Sequence, residues 1–362
     1  MSIYVISALN GSKYAGPSYS VPRTIAEMSN REQIIWINML PSYLCSLDLN
    51  VNLTYIPFEK YKMDGIEQIF EKYGKPEIVI FEELFNVDYC YFAKKIRKQG
   101  IPYVITPRGC LCGDAQSKKA VKKKLANLLL FNKFVHNAAC IRYLTEKEAE
   151  ESGDKWNRNF CVIPNGTDIP KQSVKRKYEE PIKGAFIGRL DIFHKGLDLL
   201  VEAYSIWKRD SNISVVIDIY GADSVGDKDK LKVLIHQYKL ENHVRIFDPV
   251  YDEEKYKVLK SYDFFILTSR FEGHPMGLLE ALSYGLPSLV TEGSNMASEI
   301  KKGKCGWASE TTVAGVVSSF RNLEKDFNRL NELSYNAVAL AKEYSWDNVS
   351  NMIFEQISRI RR

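Results

Sequence analysis

The chain has 362 residues, of which 45% are hydrophobic and 26% charged; it is too long for one small module and too apolar for extended disorder, so two cored domains are expected. The net charge of +5 is mild for this length and does not suggest a nucleic-acid partner. There is no apolar run long enough to span a bilayer, and MSIYVISALNG lacks the basic start and long apolar stretch of a signal peptide. The expectation is a cytoplasmic chain, neither exported nor membrane-spanning.

In chain order, short apolar runs alternate with helical patterns: IYVISAL then PRTIAEM, IIWINM, EIVIFEE then VDYCYFAKKIRKQ, PYVITP then a lysine-rich helix, ACIRYL, and CVIPNG. Such alternation predicts right-handed β-α-β units around a parallel sheet, here a first domain over residues 1–168. Pro164–Gly184, rich in proline, glycine and mixed charge, has the composition of a linker. The alternation restarts at GAFIGRL and runs through VVIDIYG, VRIFD, FFILTS and PSLVTEG, which predicts a second parallel-sheet domain over 169–345. In the last segment, 346–362, Val349, Ile353 and Ile357 form a helical stripe that must pack on something.

Seven cysteines (Cys45, Cys90, Cys110, Cys112, Cys140, Cys161 and Cys305) are scattered through apolar runs and read as small hydrophobes in a reducing compartment. Cys110-x-Cys112 has no second pair at zinc-site spacing, so no metal is expected there. Asp227-Lys228-Asp229 spells D-x-D, but it lies in a charged connection and not at the end of an apolar strand, which argues against a catalytic metal.

The most informative stretch is SRFEGHPMGLLEALSYGLPSLVTEG, Ser269 to Gly293. An apolar strand ends just before it, Pro275 suits the first turn of a helix, and Gly285 with Pro287 suits its end. Ligands of parallel sheets bind at the carboxyl ends of the strands, so Glu272 and Gly273 are expected in the crevice between the domains. The helix start near Gly273 and Gly277 offers free N–H groups to a phosphate. Glu280, between Leu279 and Ala281 in an apolar helix, is an expensive carboxylate to bury without a role; accepting two hydrogen bonds from a ribose diol would supply one.

A second constellation, FIGRLDIFHKGLDLL, puts Arg189 and Lys195 across a loop that enters a helix, where both cations can face one dianionic group. Gly188 and Gly196 flank them and permit close backbone approach to a ligand. At the amino end, Gly11 to Ser18 nearly fits a phosphate-binding loop, but Pro17 stands where the phosphate-contacting lysine is required. An NTPase is therefore rejected, and the missing G-x-G-x-x-G demotes a dinucleotide dehydrogenase. What remains is a turn at Ala15-Gly16 before a helix N-terminus. Of the histidines, only His194 and His274 lie inside these motifs.

Taken together, the FIGRL...HKG stretch, EGHPMGLLE with its E-x7-E spacing, and the AGPSYSV start resemble the retaining family 4 nucleotide-sugar glycosyltransferases of bacterial surface-polysaccharide type, over nearly the whole chain. The resemblance implies the GT-B fold: two Rossmann-like parallel-sheet domains facing across a cleft, an acceptor side and a donor side, with the C-terminal helix returning to the first. It implies that Arg189 and Lys195 hold the donor diphosphate, Glu272 contacts the sugar and Glu280 the ribose, with Gly16, Gly188, Gly273, His274, Met276, Gly277 and Leu278 completing the donor pocket. It implies no cofactor and no metal, a UDP-, GDP- or ADP-sugar as donor, and a saccharide or lipid-linked acceptor.

Three departures stand out. Arg108 in TPRG takes a place where many relatives carry histidine; unable to act as a base, it is read as orienting sugar or acceptor. Ala15 replaces the first of a glycine pair, and Asp248 stands where glycine is common near the nucleobase. A nucleotide-sugar epimerase and a non-catalytic nucleotide-sugar-binding subunit are the alternative readings. Finally, SKKAVKKKLANLLLFNKF clusters Lys118, Lys119, Lys122, Lys123 and Lys124 before Leu128, Leu129, Leu130, Phe131 and Phe134. Either Val121, Leu125 and Leu128 pack on the first domain, or the lysines meet an anionic membrane surface while leucines enter it.

Overall fold

Runs such as Ile3–Ile6 and Phe264–Leu267 are apolar at every position, so their strands bury both faces, which only helix-covered parallel sheets allow. The computed structural model describes residues 2–11, 16–41, 51–112, 126–152, 156–171, 176–223 and 225–361. They form two compact units, Met1–Gly166 with Trp346–Arg362, and Thr167–Ser345.

The first unit runs β1 (Ser2–Ser7), α1 (Gly16–Ser29), β2 (Gln33–Asn38), β3 (Leu53–Ile56), α2 (Phe58–Tyr73), β4 (Ile78–Glu82), α3 (Val87–Arg97), β5 (Tyr103–Thr106), a π-helical turn (Asn127–Phe131), α4 (Asn132–His136), β6 (Cys140–Tyr143), α5 (Glu146–Ser152) and β7 (Phe160–Val162). Its sheet is parallel throughout, in the order β3-β2-β1-β4-β5-β6-β7. One face is covered by α2, α3 and α4; on the other, Val21, Ile25 and Met28 of α1 share a core with Val349, Ile353 and Ile357. The expected C-terminal stripe thus packs on the first domain. Gly166 makes room for that return, since a Cβ there would lie 2.2 Å from the Trp346 ring.

The second unit runs β8 (Ile182–Ile187), α6 (Ile192–Lys195), α7 (Leu197–Trp207), β9 (Val215–Tyr220), α8 (Lys228–Gln237), β10 (Val244–Phe247), α9 (Asp252–Ser261), β11 (Phe264–Leu267), α10 (Met276–Ser283), β12 (Ser288–Thr291), α11 (Ala297–Gly303), β13 (Gly306–Ser309), α12 (Val313–Lys325) and α13 (Leu330–Glu343), after which α14 (Trp346–Ile360) belongs to the first unit. Its sheet, again all parallel, has the order β10-β9-β8-β11-β12-β13. The order reverses between β8 and β11, so the loops leaving these two neighbours diverge and open a crevice at their carboxyl ends. Among the described residues, no helix is long and apolar enough to cross a membrane.

Candidate active site

Both informative motifs of the second unit lie at that reversal. Gly188–Lys195 leaves β8, and Thr268–Gly273 leaves β11. The two loops are stitched together: Thr268 Oγ1 donates to the carbonyl oxygens of Lys195 (3.2 Å) and Gly196 (2.9 Å), and the Arg270 N–H donates to the His194 carbonyl at 2.9 Å. Arg270 adds a two-pronged pair with Asp198, both contacts 2.7 Å, and lies over the Phe193 ring. Gly196 is obligatory in this joint. It takes φ +60°, and a Cβ would stand 2.0 Å from the Thr268 carbonyl oxygen.

The joint brings Lys195 and Glu272 into contact. Lys195 Nζ and Ser269 Oγ both donate to Glu272 Oε1 at 2.6 Å, and both charged side chains are nearly buried. Asn295 secures the same turn from below by donating to the backbone carbonyls of Glu272 and Gly273. Arg189, on the same loop as Lys195, is half-buried, and its guanidinium makes no hydrogen bond or ion pair with the described residues. The site therefore presents one committed cation and one uncommitted cation beside a helix start.

That helix start is α10. Its first N–H groups, at Met276 and Gly277, have no carbonyl of their own helix to bond. Gly277 lets the helix approach β8, a Cβ there being 3.3 Å from the Ile187 carbonyl oxygen, whereas Gly273 faces open space. Leu278 lies in the core, its N–H donating to Pro275 at 3.1 Å. His274 is buried with its ring 5.6 Å from that of Tyr344. His194 is pushed below the usual imidazole range by burial and then by Lys195, so it is neutral at pH 7. Glu280 is buried on α10, and Lys255 of α9 donates to its Oε1 at 2.6 Å.

Sequence reasoning missed Lys255. Its partner is 25 residues away on another element, so no helical spacing links them; the one available signal was the rule that a buried carboxylate needs a cation. It also missed Ser269 and Asn295, which hold Glu272 in place. Asp248 is exposed and bonded to Lys228 at 3.0 Å. Asp227 and Asp229 pair with Lys230 and Lys232 of their own helix.

In the first unit, Gly16 opens α1 and Arg108 reaches that helix, donating to Ser20 Oγ at 3.0 Å. Arg108 also pairs with Glu82 at 2.8 Å and donates to Asn165 at 3.2 Å, with only 5% and 3% of the Arg108 and Glu82 side chains exposed. Its backbone takes φ +53°, uncommon for a residue with a Cβ. Ala15, Cys45 and the lysines of residues 118–124 lie outside the described residues.

Residues 168–339 match the family described as glycosyl transferases group 1. That match falls within the second unit. Among curated relatives, the mannosylfructose-phosphate synthase of Agrobacterium fabrum is 26% identical over 41% of this chain and 33% of its own length. The chain spans about a third to under three-fifths of the length of the first curated relatives it matches. Across solved structures the whole fold recurs. The sucrose-phosphate synthase of Thermosynechococcus elongatus superposes with a TM-score of 0.75 at 12% identity, covering 99% of both chains. The Anabaena protein HepE, solved with UDP and glucose, gives 0.70 at 15% identity over 99% of this chain and 100% of that one. The matched segment thus lies within the two-sheet α/β fold that the GT-B glycosyltransferases have.

Proposed function

We propose that the protein is a retaining glycosyltransferase that moves a sugar from a nucleoside diphosphate donor to a saccharide acceptor, lipid-linked, in the synthesis of a cell-surface polysaccharide or glycolipid. The observation that carries this reading is the contact of Lys195 with Glu272 at the reversal of the second sheet, beside the uncommitted Arg189 and the start of α10. Arg189, Lys195 and the N–H groups of α10 oppose the charge that grows on the departing nucleotide, a fixed electrostatic arrangement that requires no protein nucleophile. Glu272 contacts the sugar and Glu280 the ribose. The acceptor oxygen attacks from the face the nucleotide leaves, its proton passing to a donor phosphate oxygen while the sugar–phosphate bond breaks, and no metal ion takes part.

The test is a panel of UDP-, GDP- and ADP-sugars. The true donor raises the melting temperature by mass action, and free nucleotide accumulates when a saccharide acceptor is added. Conversion of the donor to a new nucleotide sugar without acceptor would instead establish an epimerase. Binding without turnover under any acceptor would establish a sensing subunit.

A further inference from the structure

Glu280 is held by a lysine that the motif around it does not contain. Lys255 stands in the first turn of α9, behind Asp252, Glu253 and Glu254, and its Nζ lies 2.6 Å from Glu280 Oε1, with 15% and 5% of the two side chains exposed. Stability alone gives a poor reason for this pair. Burying two charges costs at least as much as their attraction returns, and an apolar pair of similar volume would serve the core as well or better. A lysine in the first turn also opposes the positive end of its own helix. The arrangement nevertheless repeats the one at the other glutamate of the motif, where Lys195 holds Glu272 Oε1 at the same 2.6 Å. Each motif carboxylate thus has one oxygen fixed by a lysine on a different element.

We infer that Lys255 is a positioning residue of the donor site: by fixing Oε1 it holds the Glu280 carboxylate in one orientation, with Oε2 left to accept from the ribose. Oε2 takes no hydrogen bond from the described residues, and a carboxylate oxygen accepts from a hydroxyl, so a fixed carboxylate favours a ribose over a ring that lacks the hydroxyl it faces. This rests on the donor reading proposed above.

The test is calorimetric titration of the full-length protein with UDP, GDP and ADP and with the 2′-deoxy and 3′-deoxy forms of whichever binds. The wild type should lose about tenfold or more in affinity for at least one deoxy form. In Lys255→Met and Lys255→Gln that difference should shrink to within about threefold, KM for the donor should rise with kcat little changed, and Lys255→Arg should restore the wild-type pattern. Combined with Glu280→Gln, Lys255→Met should add nothing, as expected of a residue that acts only through its partner. No loss for either deoxy form in the wild type, wild-type discrimination in folded Lys255→Gln, or additive effects in the double variant would overturn the inference while leaving the donor reading standing. Failure of the wild type to bind any of the three diphosphates would overturn both.

Discussion

At the scale of single residues, the joint between the two strand-end loops depends on one glycine. Gly196→Ala asks for a left-handed backbone and places a methyl 2.0 Å from the Thr268 carbonyl oxygen, so the loop must move. The expected cost is about 2 kcal/mol or more, read as a fall in the urea midpoint at unchanged slope. The charge clamp makes a different demand, because Arg189 and Lys195 are proposed to act where charge develops. Arg189→Ala and Lys195→Ala should each lower kcat at saturating donor by about a hundredfold, near 3 kcal/mol in activation free energy, with little change in melting temperature for Arg189→Ala. Near-normal kcat in both would remove them from the diphosphate. Residue type in a motif is legible in a sequence, and so is the oddity of Glu280 among apolar neighbours. The partner of each charge is not legible, because pairing is made by tertiary approach: nothing in the sequence ties Lys255 to Glu280, or Arg108 to Glu82.

At the scale of elements, α9 and α10 end close together, and a residue from the segment before the second sheet closes both. Arg176 donates to the carbonyl oxygens of Leu259 (2.9 Å) and Tyr262 (2.8 Å) at the end of α9, and to that of Tyr284 (2.7 Å) at the end of α10. These are the orphan acceptors every helix leaves behind, and a cation is the donor its negative end favours. Arg176→Met should cost the second unit about 3 kcal/mol, since charged hydrogen bonds are lost and carbonyl groups are left unpaired. Thermal unfolding would measure it. A loss within about 0.5 kcal/mol would mean that water replaces the guanidinium. Because α10 carries Glu280 and α9 carries Lys255, the same variant should also loosen donor binding. Composition marks the segment around Arg176 as a linker, and nothing local in it reveals a clamp on carbonyl groups 83 to 108 residues later.

At the scale of the whole molecule, the alternation of apolar runs and helical patterns exposes two parallel sheets, because burial on both faces leaves most strand positions apolar, with Glu82, Arg142 and Asp218 as buried charged exceptions. The terminal stripe Val349, Ile353 and Ile357 likewise announces a helix in need of a surface, and the first unit supplies it. The basic, leucine-rich segment is where sequence left two readings, and its described part bears on the choice. Phe131 and Phe134 are buried, but Leu128 and Leu129 are 73% and 67% exposed, so Leu128 does not pack on the first domain as the first of those readings requires. Beside them, Phe85 meets Phe131 edge to face at 5.1 Å, and Val87 and Tyr91 of α3 are exposed. Apolar side chains in such number with Lys118, Lys119, Lys122, Lys123 and Lys124 just upstream suit an anionic lipid surface, where each lysine near the headgroups adds about 1 kcal/mol and each leucine gains by leaving water. The expected outcome is sedimentation with vesicles that contain phosphatidylglycerol and not with neutral ones, falling steeply between low and physiological salt. Changing Lys119, Lys122 and Lys123 to glutamine should abolish it while activity on a soluble acceptor persists; changing Leu128 and Leu129 to serine should weaken it at every salt concentration. Equal binding to neutral vesicles would assign the attraction to the leucines alone, and no binding to either at low salt would leave the lysines as a solvated face.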